Sequence, residues 1–182
     1  MVTYDGTLER NVVSLDGTDG YALMELEQHY ARLQDGFTIE TYLYVSAAPT
    51  KTTGIFANMQ SGGFGLQMNS SGHIQLLAYT GNKAYERASA ALPLGQWVHV
   101  VGVYTGSKIQ LYLNGVLANE VTASKTSFAL PPRGSYYLSV GGDSDPAAYY
   151  GVNFISGKMA IANLYSDAMT ATEVAALYQQ LD

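Results

Sequence analysis

Cysteine is missing from all 182 residues, which removes disulfide scaffolds, thiolate zinc sites and cysteine nucleophiles together and leaves the redox compartment open. Positive charge is scarce. The 9 Lys plus Arg stand against 15 Asp plus Glu, a formal net charge of -6, and without a basic cluster nothing neutralises a phosphate backbone, so nucleic acid is not expected as a partner. Long apolar runs are lacking too: none approaches the ~20 residues that cross a bilayer, so no membrane insertion is expected. The opening Met1-Val2-Thr3-Tyr4-Asp5 has neither the basic nor the apolar region of a signal peptide. Charged residues make up only 13% of the chain, about half the ordinary share.

Several reaction signatures are missing as well. There is no G-x-S-x-G elbow and no H-E-x-x-H, and Gly62-Gly63-Phe64-Gly65 lacks the Lys of a phosphate loop. His29, His73 and His99 fall on separate elements, a poor arrangement for a zinc site.

What the chain has instead is 47% hydrophobic residues, 19 Gly and 15 Tyr. That excludes intrinsic disorder. A chain of this length folds as one domain, buries about 70% of its unfolded surface and needs no metal to do so. Residues 1–182 therefore read as a single module, which we expect to be excised from a larger protein because the sequence starts directly in strand-like residues.

Apolar residues recur mostly at period two between turns of Gly, Asn, Asp and Ser, the pattern of half-buried strands. Lys108 to Leu113, Asn114-Gly115 and Val116 to Val121 spell a hairpin, since Asn-Gly supplies the two positive φ angles of a type I′ turn. Trp97 to Tyr104 joins it as a third strand of a meander. Further strands are expected at 12–15, 21–26, 37–45, 54–59, 64–68, 73–79, 136–141 and 158–165. Strands this numerous, each with one polar face, fit two packed antiparallel sheets. One helix, 171–181, is expected after the capping box Thr170-x-x-Glu173, with Met169 and Val174 as a hydrophobic staple.

Four segments resemble the laminin G-like family, the concanavalin A-like jelly roll. They are Leu15-Asp16-Gly17-Thr18-Asp19-Gly20-Tyr21; Asp35-Gly36-Phe37-Thr38-Ile39-Glu40-Thr41-Tyr42; Trp97-Val98-His99-Val100 through Leu111-Tyr112-Leu113-Asn114-Gly115; and Phe154 to Met159 through Leu164-Tyr165 to Tyr178. The resemblance implies an all-β, antiparallel two-sheet jelly-roll sandwich with one short C-terminal helix. One departure is visible: many relatives read G-x-I-D in the last strand, where this chain has Gly157-Lys158-Met159-Ala160.

The family spans lectins, carbohydrate-binding modules, adhesive modules and glycosidases, so individual residues must decide. Retaining glycosidases need two carboxylates about 5 Å apart. Here Glu40 has Thr38 and Tyr42 as alternate neighbours, and Glu25 and Glu27 sit at a strand end. The first reading is therefore a non-catalytic carbohydrate-binding module. A protein-binding adhesive or spacer module and a glycosidase-like domain remain as alternatives. Parity in 37–44 sets Phe37, Ile39 and Leu43 on one face and Glu40, Tyr42 and Tyr44 on the other. If the strands form the concave sheet that the resemblance implies, Glu40, Tyr42, Tyr44, Gln67, His99 and Tyr79 floor a groove. Tyr149 and Tyr150 belong to a neighbouring loop. Planar rings beside hydroxyls and amides suit a sugar.

The opposing reading is that loops cover these aromatics as a second core. Calcium is a further expectation, drawn from relatives, with Asp16, Asp19 and Asp143 as ligands. Against it stand Ala160 and the common use of such Asp residues in Asx-turns. By resemblance the protein is secreted or on a cell surface, partnered by a glycan or glycoprotein and by other domains of its parent.

Overall fold

The computed structural model describes residues 1–80, 84–132, 137–145 and 150–181. In chain order the strands are β1 (Val2–Asp5), β2 (Arg10–Asp16), β3 (Ala22–Glu25), β4 (Phe37–Tyr44), β5 (Thr53–Met59), β6 (Gly63–Met68), β7 (His73–Ala78) and β8 (Glu86–Ala91). They continue with β9 (Trp97–Tyr104), β10 (Lys108–Leu113), β11 (Val116–Thr122), β12 (Tyr137–Val140), β13 (Asp143–Asp145), β14 (Tyr150–Val152) and β15 (Ser156–Tyr165). Helix α1 spans Tyr30–Leu33 and α2 spans Ala171–Gln179.

Two antiparallel sheets form the sandwich that the alternation predicts, the jelly roll that the resemblance implies. The first runs β1-β2-β15-β4-β9-β10-β11 and the second β3-β12-β5-β6-β7-β8, with β13-β14 as a small separate ribbon. Inward residues of both sheets make the core. Phe37 and Tyr104 from the first sheet meet Phe64 from the second, and Phe128 wedges between them, with ring centroids 4.3 Å apart for Phe37–Phe64 and 5.4 Å for Phe64–Phe128. Edge-to-face and tilted rings at such spacings are favourable beyond the area they bury.

The Asn114-Gly115 turn adopts φ angles of 49° and 76°, the two positive values that the type I′ hairpin requires. Helix α2 begins where expected. Thr170 accepts from the Glu173 N–H at 3.3 Å while Glu173 accepts from the Thr170 N–H at 2.7 Å, and Met169 packs with Val174. Its buried face covers Val101, Val103 and Tyr112 on the outer side of the first sheet. The helix ends at Gln179, short of the expected Leu181.

Four strands and a helix do not register in the alternation. Strand β8, Glu-Arg-Ala-Ser-Ala-Ala, has one buried residue, Ala88, and its small side chains carry no hydrophobic period. Strand β1 is four residues long, and β13 and β14 are three each, too brief for a period to show. Helix α1 is a single turn held by Tyr30 and Leu33 in the core. The strand expected at 136–141 is seen as 137–140, Tyr136 lying outside the described residues.

Ile39 is fully buried at the centre of this core. Ile39→Ala should destabilise the domain by about 2–5 kcal/mol, and Thr170→Ala by about 1 kcal/mol through the lost cap. Urea denaturation of the purified domain reads both.

Candidate functional site

Strand β4 runs through the middle of the first sheet, and its outward side chains are Thr38, Glu40, Tyr42 and Tyr44. Strand β9 pairs with it in a register that sets Val101 opposite Glu40, His99 opposite Tyr42 and Trp97 opposite Tyr44. This register is fixed at the β9 entrance, where Gly95 adopts φ 72° and donates its N–H to Val45 O at 2.8 Å. On the other flank β15 sets Lys158 opposite Tyr44 and Asn163 opposite Glu40. The approach there is close: a Cβ on Gly157 would stand 2.4 Å from Tyr44 O, so only glycine fits.

The outer face of the first sheet therefore divides into two parts. The part under α2 is a buried polar network. Glu40 is 3% exposed and His99 fully buried. The Glu40 carboxylate accepts from His99 Nε2 at 3.0 Å, Tyr165 Oη at 2.7 Å and Asn163 Nδ2 at 2.9 Å. Tyr178 of α2 stacks on the His99 ring at 5.9 Å and 21°. His99 is held on its backbone side as well, its N–H donating to Asn114 Oδ1 at 3.0 Å. Burial pushes the Glu40 pKa up, but the three side-chain donors outweigh it and hold the carboxyl below its ordinary value. Burial and the neighbouring Glu40 carboxylate raise the Tyr165 hydroxyl, so it remains a donor.

Beyond the helix the same face carries a shelf of half-buried rings. Trp97 lies 5.2 Å from Tyr42 and 5.8 Å from Tyr44 between centroids. Lys158 Nζ stands 5.7 Å above the Tyr44 ring and 2.7 Å from Asp5 Oδ2. Asp5 Oδ1 in turn accepts from the N–H groups of Thr7 and Leu8 at 3.0 and 3.2 Å. Rings with a carboxylate, an ammonium and hydroxyls at their edge can stack on the C–H face of a sugar and take its hydroxyls.

The structure thus groups Glu40, Tyr42, Tyr44 and His99 on one face, as parity predicts, but it assigns them different roles. Glu40 and His99 are buried, Tyr178 of α2 stacks on the His99 ring and three protein donors hold the Glu40 carboxylate, so neither floors an open groove. Gln67 and Tyr79 are not with them at all. They belong to the outer face of the second sheet, where Gln67 donates to Gln75 at 2.9 Å and Tyr79 meets Tyr85 at 4.9 Å. Strand parity is blind to which sheet a strand joins, hence the merged grouping. Tyr149 lies outside the described residues, and Tyr150 opens β14.

Asp16 Oδ1 accepts from Thr18 N at 2.8 Å and Asp19 N at 3.3 Å, the Asx-turn arrangement, which lowers the Asp16 pKa. Asp143 starts β13, against β5. Among the described residues no three acidic or imidazole side chains gather as one set, so Asp16, Asp19 and Asp143 do not form a single cluster. Trp97 and Lys158 were not among the site residues expected from the sequence, because alternation does not say that β4 pairs with β9 and β15 or in which register.

Two observations bear on other chemistries. Along the outward face Glu40 adjoins Thr38 and Tyr42, and across strands Val101 and Asn163, so no second carboxylate adjoins it. A separate recess of about 510 Å³ opens between the sheets, lined by Val13, Leu15, Tyr21, Val140 and Met159 with Asp19 at its rim; its apolar walls offer few partners to sugar hydroxyls.

Glu40 contributes stability that is present above its unfolded pKa of about 4.3 and is lost as pH falls through its lower folded value. Glu40→Gln should therefore be less stable than the parent at pH 7, and the difference should shrink as acid protonates the parent's carboxylate. Melting temperatures of both proteins from neutral to acid pH check this.

No curated protein sequence matches the chain. Among solved structures, the binding domain of Paraclostridial Mosquitocidal Protein 1 superposes with a TM-score of 0.78 at 11% identity over 99% of this chain and 45% of the other. The receptor-binding domain of the botulinum neurotoxin C/D mosaic serotype gives 0.74 at 12% identity over 99% and 45%. Botulinum neurotoxin type C, whose cell entry depends on two ganglioside molecules, gives 0.70 at 11% over 100% and 45%. The chain spans under half the length of these structures, and at such identity the likeness concerns the fold. A family model matches residues 16–175, most of the chain, and the protein belongs to the concanavalin A-like lectin/glucanase superfamily, in its laminin G-like branch.

Proposed function

We propose that this domain is a non-catalytic carbohydrate-binding module whose ligand stacks on the shelf of Trp97, Tyr42 and Tyr44. The observation that carries the reading is the shelf itself. The rings of Tyr42 and Tyr44 each stand within 6 Å of the Trp97 ring on a sheet face, outside the core, with the Lys158–Asp5 pair at their edge. A core role leaves their clustering unexplained, since the inward faces of β4 and β9 already supply Phe37, Ile39, Leu43, Val98 and Val100 to the core.

Two further points support it. Glu40 is buried with its carboxylate held by three donors, and no second carboxylate adjoins it across β9 or β15, while glycoside hydrolysis uses a pair. The ganglioside-dependent toxin domain shares the fold, so the scaffold is compatible with glycan ligands, and a secreted or surface location agrees with such a ligand.

Trp97→Ala should weaken glycan binding at least about tenfold, the equivalent of about 1.4 kcal/mol of lost stacking, with Tyr42→Ala and Tyr44→Ala acting in the same direction. Each variant should stay folded by circular dichroism. A glycan array followed by calorimetry on the best ligand measures the effect. Retained affinity in all three folded variants would move the site to the second sheet, around Gln67, Gln75 and Tyr79.

A further inference from the structure

The charges around the shelf define what kind of glycan it accepts. Lys158 is the cation at the shelf itself, and its ammonium is not available as a net positive charge. Asp5 sits 2.7 Å away with its side chain 6% exposed, whereas that of Lys158 is 40% exposed. The Lys158 hydrogen bond is the strongest influence lowering the Asp5 pKa, and the N–H groups of Leu8 and Thr7 add to it, so the carboxylate stays ionised at neutral pH and the pair remains closed. At ligand distance its field is that of a dipole rather than of a charge.

Glu40, on the same face, is held by Tyr165, Asn163 and His99, so its carboxylate is committed to protein partners. Lys158 and Asp5 cancel at the shelf, and Glu9 and Arg10, exposed at the β1–β2 turn, are of opposite sign. The whole chain carries -6, so the longer-range field is negative.

We infer that the shelf selects neutral glycans and rejects anionic ones, and that Asp5 is the residue that sets this selectivity by cancelling Lys158. The inference rests on the carbohydrate reading of the shelf. It runs against what the ganglioside-binding neighbour by itself would suggest, because the closed ion pair denies a sialic or uronic carboxylate its partner. Neutral sugars fare differently: the part-exposed Lys158 ammonium can donate to a hydroxyl without any net charge on the ligand.

The test compares the parent domain, Asp5→Asn and Trp97→Ala on one array. The neutral probes are cellohexaose, xylohexaose and lacto-N-tetraose, and the anionic probes sialyllactose and a trigalacturonide. Asn keeps an acceptor for the Thr7 and Leu8 N–H groups while removing the charge. The parent should bind neutral probes alone, and its affinity should be unchanged up to about 1 M salt, where the Debye length is about 3 Å. Asp5→Asn should gain at least about tenfold for the anionic probes, and that gain should vanish in high salt.

A parent that binds sialyllactose or the galacturonide, with the binding lost in Trp97→Ala, overturns the selectivity while keeping the site. A folded Asp5→Asn that gains nothing for anionic probes removes Asp5 from the role. If Asp5→Asn does not fold, the parent's probe preference and salt response decide alone. Glycan binding untouched in Trp97→Ala, or no binding in any protein, overturns the carbohydrate reading and this inference with it.

Discussion

A carboxylate placed under a helix has to be compensated from every direction, and Glu40 is. Its donors come from β9 and β15 while the residue itself is on β4, so one side chain links the three central strands of the first sheet on the face away from the core. Leaving a buried charge without partners costs several kcal/mol, and that cost makes alternative registers of β4, β9 or β15 unfavourable. Once the register is set, the rest of that face follows. Trp97 falls opposite Tyr44, Lys158 falls on the other side of Tyr44, and Tyr178 finds the His99 ring to stack upon. The network and the aromatic shelf are consequences of the same alignment.

The motif residues of the family thereby divide by purpose. Glu40 and His99, polar positions inside apolar strands, and Asn114, in the hairpin turn, form the seat on which α2 rests. Asn114 belongs to it through the tip of the β10–β11 hairpin, where its amide oxygen accepts from the His99 backbone and its own N–H returns a hydrogen bond to His99 O at 2.8 Å. The rings that flank them, Tyr42, Tyr44 and Trp97, lie half-buried beyond the part of the face that the helix covers.

Much of this was legible in the sequence, for identifiable reasons. Period-two alternation is a local signal, and it located β4, β9, β10 and β11 and the inward set Phe37, Ile39 and Leu43. The capping box and the Asn-Gly turn are equally local, and both have the geometry their residues demand. What alternation does not carry is partnership. It sets Gln67 and Glu40 on polar faces alike, yet β6 and β4 belong to different sheets and those faces point in opposite directions. Nor does it say what covers a face: the amphipathic stripe of α2 was visible, but not that it would land over Val101, Val103 and Tyr112 and seal Glu40 and His99. Trp97 was read as a family marker, and its proximity to Tyr42 emerges only when two strands distant in sequence are paired.

The position of β15 has a consequence for how the chain acquires its structure. It is ten residues long and pairs with β2 on one side and β4 on the other, so the first sheet stays in two disconnected pieces until Tyr165 has been made. The N-terminal hairpin of β1 and β2 has no other neighbour in that sheet. During synthesis it must wait, its apolar residues unburied, for a strand more than a hundred residues downstream. Non-local pairing of this kind slows folding, because the entropy of closing a long loop is lost before the contacts compensate it. The first sheet closes only when β15 enters the gap between β2 and β4.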